Sequence, residues 1–138
     1  MSKQYTPQKI TKLLPHQIVV FGSNNEGKHG KGMALLCKQK FGAIQFQSRG
    51  LQGQSYAIIT KDLHKGEKSI PLDYIQLQIG RLYEFAKLHP EKEFLFTKIG
   101  TQLAGWSEKD LERILSEVEY QRPDNVILPY FGDAEGNI

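Results

Sequence analysis

The chain of 138 residues and 15.7 kDa has the length of one compact domain and is too short for two ordinary ones. Apolar residues at 39% and charged residues at 24% exclude a disordered chain, and no apolar run nears the roughly 20 residues that span a bilayer. A single cysteine, Cys37, excludes an intrachain disulfide or a CxxC metal knuckle, and a net charge of +3 is too small for a dedicated nucleic-acid binder.

The N-terminal residues 1–11 are polar and lack the hydrophobic stretch of a secretory signal, so a reducing cytoplasmic setting is expected. Ile18, Val19, Val20 and Phe21 form a β-branched run ending at Gly22, the pattern of a buried strand followed by a turn. Residues 22–32 then carry four glycines among turn formers, and residues 33–41 read as a helix stopped by Gly42. A second buried strand is expected at 56–60. Pro71 opens a helix whose apolar positions Leu72, Ile75, Ile79, Leu82, Phe85 and Ala86 recur at helical spacing until His89 and Pro90.

Phe94, Leu95, Phe96 and Thr97 make a third strand, followed by a loop over 98–106. Ser107 with Asp110 three residues on opens the next helix as a capping box, and Leu111, Ile114, Leu115 and Val118 form its apolar stripe. The last strand is expected at 126–129, and 132–138 is a polar tail. Continuous apolar strands alternating with amphipathic helices predict a largely parallel sheet covered on both faces, in a single domain spanning 1–138 with its core at about 18–130.

Ligands of such sheets bind at the carboxyl ends of the strands. Two glycine-bearing loops stand there, at 22–32 and 100–105, each leading into a helix whose free N–H groups suit a phosphate. Residues 27–61 hold six basic side chains (Lys28, Lys31, Lys38, Lys40, Arg49, Lys61) and no Asp or Glu, which reads either as a solvated face or as the surroundings of an anion site. The first loop is not a nucleotide-hydrolase motif, because His29 stands where a P-loop needs its hydroxyl and the GxGxxG spacing is absent. No two His or Cys residues have zinc spacing, so no metal or other cofactor is expected. His29 is the best general acid or base by position, Cys37 reads as core, and His16, His64 and His89 read as surface residues.

Residues 18–24 together with Gly30, Lys31, Gly32, Met33 and Ala34 resemble the strand, asparagine turn and glycine-rich helix entry of macro domains. Residues 98–106 are similar to the second macro-domain loop, and the resemblance runs over roughly 18–130. It looks nearest to a compact bacterial and phage macro-like group and to the branch containing the terminal ADP-ribose protein glycohydrolase. The resemblance implies a three-layer α/β/α fold holding ADP-ribose or a related nucleotide across the two loops. By that match Gly30, Lys31, Gly32 and Met33 line the first phosphate loop, Asn24 falls near the distal ribose, and Gly22 and Ser23 before it also bind the ligand. Gly100, Thr101, Gln102, Leu103, Ala104, Gly105 and Trp106 form the second, and Phe131 packs on a ribose or base.

This sequence departs from the branch at its chemistry. Arg49 falls near the nucleophilic lysine and Ala104 at the assisting aspartate, and a guanidinium that stays protonated cannot attack. Phe21 stands where the first loop's leading asparagine is expected. The reading is therefore a binder of ADP-ribose or a related nucleotide diphosphate, with no membrane partner. Two alternatives stand beside it. One is a hydrolase of ADP-ribosylated protein or ADP-ribose 1''-phosphate, with Asn24 and His29 positioning water. The other, disfavoured by the lack of interleaved aromatic residues, is a nucleic-acid or protein-binding module using the basic surface from Lys28 to Lys61.

Overall fold

The computed structural model describes residues 4–132, and the tail beyond Gly132 lies outside them. Five strands and three helices are arranged as β1 (Gln17–Asn24), α1 (Gly32–Lys40), β2 (Gly50–Gln52), β3 (Ser55–Lys61), α2 (Leu72–Lys87), β4 (Glu93–Phe96), α3 (Glu108–Glu117) and β5 (Val126–Ile127), with a short 3-10 turn at Glu119–Gln121. The sheet order is β2-β3-β1-β4-β5, with β1 parallel to both β3 and β4, and β4 parallel to β5.

Side-chain alternation along the strands explains the layers. Ile18 and Val20 of β1, Ile58 of β3, Phe94 and Phe96 of β4 and Val126 of β5 point to one face, where Ile75, Ile79, Leu82 and Tyr83 of α2 and Leu111, Ile114 and Leu115 of α3 cover them. Val19, Phe21, Ala57, Leu95 and Ile127 point to the other, where Cys37 and Phe41 pack with Ile10. Each central strand therefore has an apolar run buried on both faces, Ile18–Phe21 in β1, Tyr56–Ile59 in β3 and Phe94–Phe96 in β4, which is why these runs show no polar alternation in the sequence. The sandwich is helix, sheet, helix, as expected. Among the described residues no helix is long and apolar enough to cross a membrane.

One strand differs from the expected pattern. β2 is an antiparallel edge strand, joined to β3 by a tight turn at Gly53 and Gln54 and pairing Gly50 with Ala57 and Leu51 with Tyr56. Its three residues, Gly-Leu-Gln, contain one apolar side chain, so no periodicity marks it. Carbonyls on both edge strands find partners outside the sheet. On β2, the Gln47 side-chain amide donates to the Leu51 carbonyl at 3.0 Å. On β5, Thr6 of the N-terminal segment donates its backbone N–H to the Leu128 carbonyl at 2.9 Å and its hydroxyl to the Ile127 carbonyl at 2.9 Å.

The buried thiol of Cys37 leads to a pH prediction. Burial pushes it from an ordinary 9.0 up to about 12. Between those values the unfolded chain releases this proton and the folded chain keeps it, so stability falls as pH rises and is fully present below pH 9. One such group contributes a slope of about 1.4 kcal/mol per pH unit. Tyr83 is also raised by burial from 10.0, so its contribution begins one unit later. Urea unfolding at pH 8, 9.5 and 10.5 is expected to show the decline, and Cys37→Ala to flatten its first part; equal slopes in both proteins would exclude the thiol as its origin.

Candidate functional site

The parallel strands aim their carboxyl ends at one side of the sheet, and there a cavity of about 500 Å³ opens. This volume lies within the range of small-molecule sites. Its floor is backbone. At Gly22 a Cβ would stand 3.1 Å from the Thr60 hydroxyl and 3.5 Å from the Gly100 nitrogen, so any side chain there would separate the two loops. Thr60, near the end of β3, donates its hydroxyl to the Ser23 carbonyl at 3.2 Å, and Thr97 follows β4 and donates to the Val20 carbonyl at 2.6 Å. Both threonines line the cavity beside Gly22.

One wall is the start of α1, supplied by Lys31, Gly32, Met33 and Ala34. Gly32 takes φ +58°, a left-handed conformation that glycine adopts without steric cost, and open space surrounds its α-carbon. Lys31 occupies the N-cap with no side-chain cap bond, and no acidic residue stands in the first turn. The first N–H groups of this helix thus have no side-chain cap, and the residues that carry them line the cavity. α3 begins differently: Ser107 accepts from the Asp110 N–H at 3.0 Å, and the Asp110 carboxylate accepts from the Ser107 N–H at 3.2 Å. Those bonds hold the Asp110 carboxyl below its usual range, and the α3 N-terminus is satisfied internally.

The opposite wall is the second glycine loop, with Lys98, Ile99, Gly100, Gln102, Leu103 and Ala104 on the cavity. It is braced from behind. The Trp106 N–H donates to the Gly100 carbonyl at 2.9 Å and the Lys68 N–H to the Ala104 carbonyl at 2.6 Å. The Trp106 indole donates to the Ile70 carbonyl at 3.2 Å. Lys98 donates to Glu108 at 2.9 Å and lies 5.5 Å from the Phe131 ring. Lys31 and Lys98 are the charged residues on the cavity, and no Asp or Glu among the described residues lines it. Nor do three His, Cys, Asp or Glu side chains among them converge as a metal site.

Of the residues singled out by sequence, Gly22, Lys31, Gly32, Met33, Gly100, Gln102, Leu103 and Ala104 line this one cavity. Ser23, Asn24, His29, Gly30, Thr101, Gly105, Trp106 and Phe131 stand outside its lining. Asn24 is occupied in shaping its own loop, donating to the Lys28 carbonyl at 2.7 Å and accepting from the N–H groups of Lys28 at 3.0 Å and Glu26 at 3.2 Å. His29, expected in an open loop, is fully buried. Its Nε2 faces two acceptors, the Gln47 carbonyl and Gln52 Oε1, each at 3.2 Å, so the ring carries a proton there. Its ring also meets Phe21 edge-on at 5.3 Å. Thr101 donates to the Lys98 carbonyl at 2.8 Å and tightens its turn.

Sequence reasoning missed the N-terminal segment, whose Thr6, Pro7, Gln8 and Ile10 line the cavity, and also Pro129 and Tyr130 beyond β5. It missed Thr60 and Thr97 as well, although a signal was present: each is the threonine ending an apolar strand run.

The sequence matches no family model and no curated protein. Solved structures do match its shape. One is a macrodomain protein from Streptomyces coelicolor, 16% identical, with a TM-score of 0.55 over 88% of this chain and 93% of that one. The fold is macrodomain-like. A protein of unknown function from Bacteroides thetaiotaomicron shares it at 18% identity and a TM-score of 0.56, over 82% of this chain and 87% of that one. In this macrodomain-like fold both glycine loops lie at the carboxyl ends of the strands and meet where Gly22 approaches Thr60 and Gly100.

Proposed function

We propose that the cavity binds ADP-ribose or a closely related ADP-ribosyl or nucleotide-diphosphate ligand, with the diphosphate between the start of α1 and the loop at Gly100. The observation that carries this reading is the uncapped, acid-free N-terminus of α1 opening onto a cavity that also holds Lys31 and Lys98 and no carboxylate among the described residues. Helix N–H groups and dipole favour an anion there, and glycine lets it approach the backbone. The sequence resemblance to compact bacterial and phage macro-like proteins, near the terminal ADP-ribose glycohydrolase branch, supports the same ligand class. A reducing cytoplasm suits the buried free thiol of Cys37.

Binding without turnover is the form of this reading that the side chains favour. Asn24 has both polar side-chain atoms engaged in its own loop, His29 is fully buried with Nε2 bonded to Gln47 and Gln52, neither lines the cavity, and Ala104 brings no carboxylate to the second loop. Titration with ADP-ribose is expected to give saturable heat and a selective thermal shift, about 2.7 kcal/mol of added stability at 100 times Kd. AMP and NAD run alongside establish selectivity, and incubation with ADP-ribosylated protein and ADP-ribose 1''-phosphate is expected to release no product. Absence of heat and shift at millimolar ADP-ribose would overturn the ligand; product release would convert the binder into a hydrolase.

A further inference from the structure

A second groove, of about 430 Å³, follows α2 and shares no residue with the cavity described above. Leu77, Gly80, Arg81 and Glu84 of α2 form one wall, and Val118 and Gln121 beyond α3 form the other. Glycine disfavours a helix interior, and packing within the fold does not call for it at Gly80. A Cβ there would meet only Gln121 Oε1, at 3.8 Å, an ordinary contact. The missing side chain leaves a low point at which a second backbone can approach from outside. Beside it α2 displays two uncovered leucines, Leu77 at 51% and Leu88 at 77% exposure. Between these stand two exposed charges. Among the described residues Arg81 makes no salt bridge, and Glu84 meets Lys87 at 3.3 Å.

We infer that this face of α2 packs antiparallel against the same face of a second copy of the chain, forming a symmetric dimer. Leu77, Arg81, Glu84 and Leu88 stand four, three and four residues apart, which makes one narrow stripe with the spacing of a coiled-coil seam. The helix runs from Leu72 to Lys87, and Leu88 keeps a helical backbone at its cap, so the stripe is continuous. It reads apolar, positive, negative, apolar. Reversal exchanges the two charges and leaves a leucine at each end. Against an antiparallel copy Leu77 therefore meets Leu88, and Arg81 meets Glu84, each pair occurring twice about the two-fold axis. A parallel copy would instead oppose Arg81 to Arg81 and Glu84 to Glu84. The complement of the stripe is the stripe itself, which singles out a second copy as the occupant. One helix face buries less than the roughly 800 Å² per partner of a standard interface, so a dissociation constant of about 10 μM is expected. No residue of the ligand cavity takes part, and the inference stands independently of the ligand reading.

The test is sedimentation velocity over about 1 to 200 μM protein, which brackets the expected constant. Wild type, Leu77→Lys, Arg81→Glu, Glu84→Arg and the double variant Arg81→Glu with Glu84→Arg are compared. All three positions are exposed, so the variants are expected to unfold at the wild-type temperature. Wild type is expected to pass from monomer to dimer across the range. Leu77→Lys and each single charge variant are expected to weaken the dimer about 10-fold or more, since a single reversal sets two like-charged pairs across the axis. The double variant restores both pairs with their signs exchanged and is expected to dimerise within about threefold of wild type. A wild type that stays monomeric throughout overturns the inference. So does a dimer indifferent to Leu77→Lys and Arg81→Glu, which places the interface elsewhere. A double variant as weak as the single ones overturns the antiparallel pairing.

Discussion

Gly32→Glu is expected to abolish ADP-ribose binding and to leave the protein folded. The folding cost is small because two effects oppose. A non-glycine residue at φ +58° costs about 1–2 kcal/mol, while a carboxylate at the first turn of α1 returns about 0.3–1 kcal/mol through the helix dipole. No atom lies within 4 Å of the added Cβ, so no steric term adds to these. For the ligand the two effects align. The new carboxylate takes up the N–H groups an anion would use, and its charge repels the diphosphate beside it. A loss of at least about 100-fold in affinity, about 2.7 kcal/mol, is expected. Gly32→Ala isolates the backbone term: its stability should fall slightly while binding survives. Retention of near wild-type affinity by a folded Gly32→Glu would remove the α1 N-terminus from the site.

Gln52→Ala is expected to be the more damaging change to stability. Gln52 is 2% exposed, and its amide serves four partners at once. Oε1 accepts from the Ile44 N–H at 2.7 Å and faces His29 Nε2 at 3.2 Å. Nε2 donates to the carbonyls of Gln47 at 3.1 Å and Gly50 at 3.4 Å. One side chain on β2 therefore holds the segment over 44–50 and the end of the first glycine loop. Its removal leaves buried donors and acceptors without partners, each costing about 1–3 kcal/mol where water cannot reach. A net loss of about 3 kcal/mol, or about 10 °C in Tm, is expected. Gln52→Leu, which restores volume but no polarity, should recover little of it. Equilibrium urea unfolding measures both, and a loss below about 1 kcal/mol would mean the segment does not depend on this amide.

The same amide shows why part of the site could not be read in advance. β1, β3, β4, α2 and α3 were legible because burial on both faces or on one stripe writes itself into apolar spacing, and Ser107 with Asp110 marked its helix start directly. The glycine loops were legible because few other residues permit such turns beside a strand end. What spacing does not encode is where a polar side chain turns. Asn24 and His29 suit catalysis by type and position, yet one closes its own loop and the other is drawn inward by Gln47 and Gln52, partners 18 and 23 residues away along the chain. β2 and the N-terminal segment share a second reason. β2 owes its place to backbone pairing with β3 and the N-terminal segment to the end of β5, and neither carries a periodic apolar pattern of its own.

The N-terminal segment and the Gln47 amide have a further consequence for how this molecule behaves in a crowd. An open sheet ordinarily ends in two rows of unpaired peptide groups, either of which can recruit a neighbouring chain. Here the Gln47 amide occupies the Leu51 carbonyl on one margin, and Thr6 occupies the carbonyls of Ile127 and Leu128 on the other. The segment around Thr6, which lines the cavity, also denies lateral growth at the β5 margin. A chain shortened past Thr6 would therefore lose more than affinity: it would present the carbonyls of Ile127 and Leu128 as a template for polymerisation.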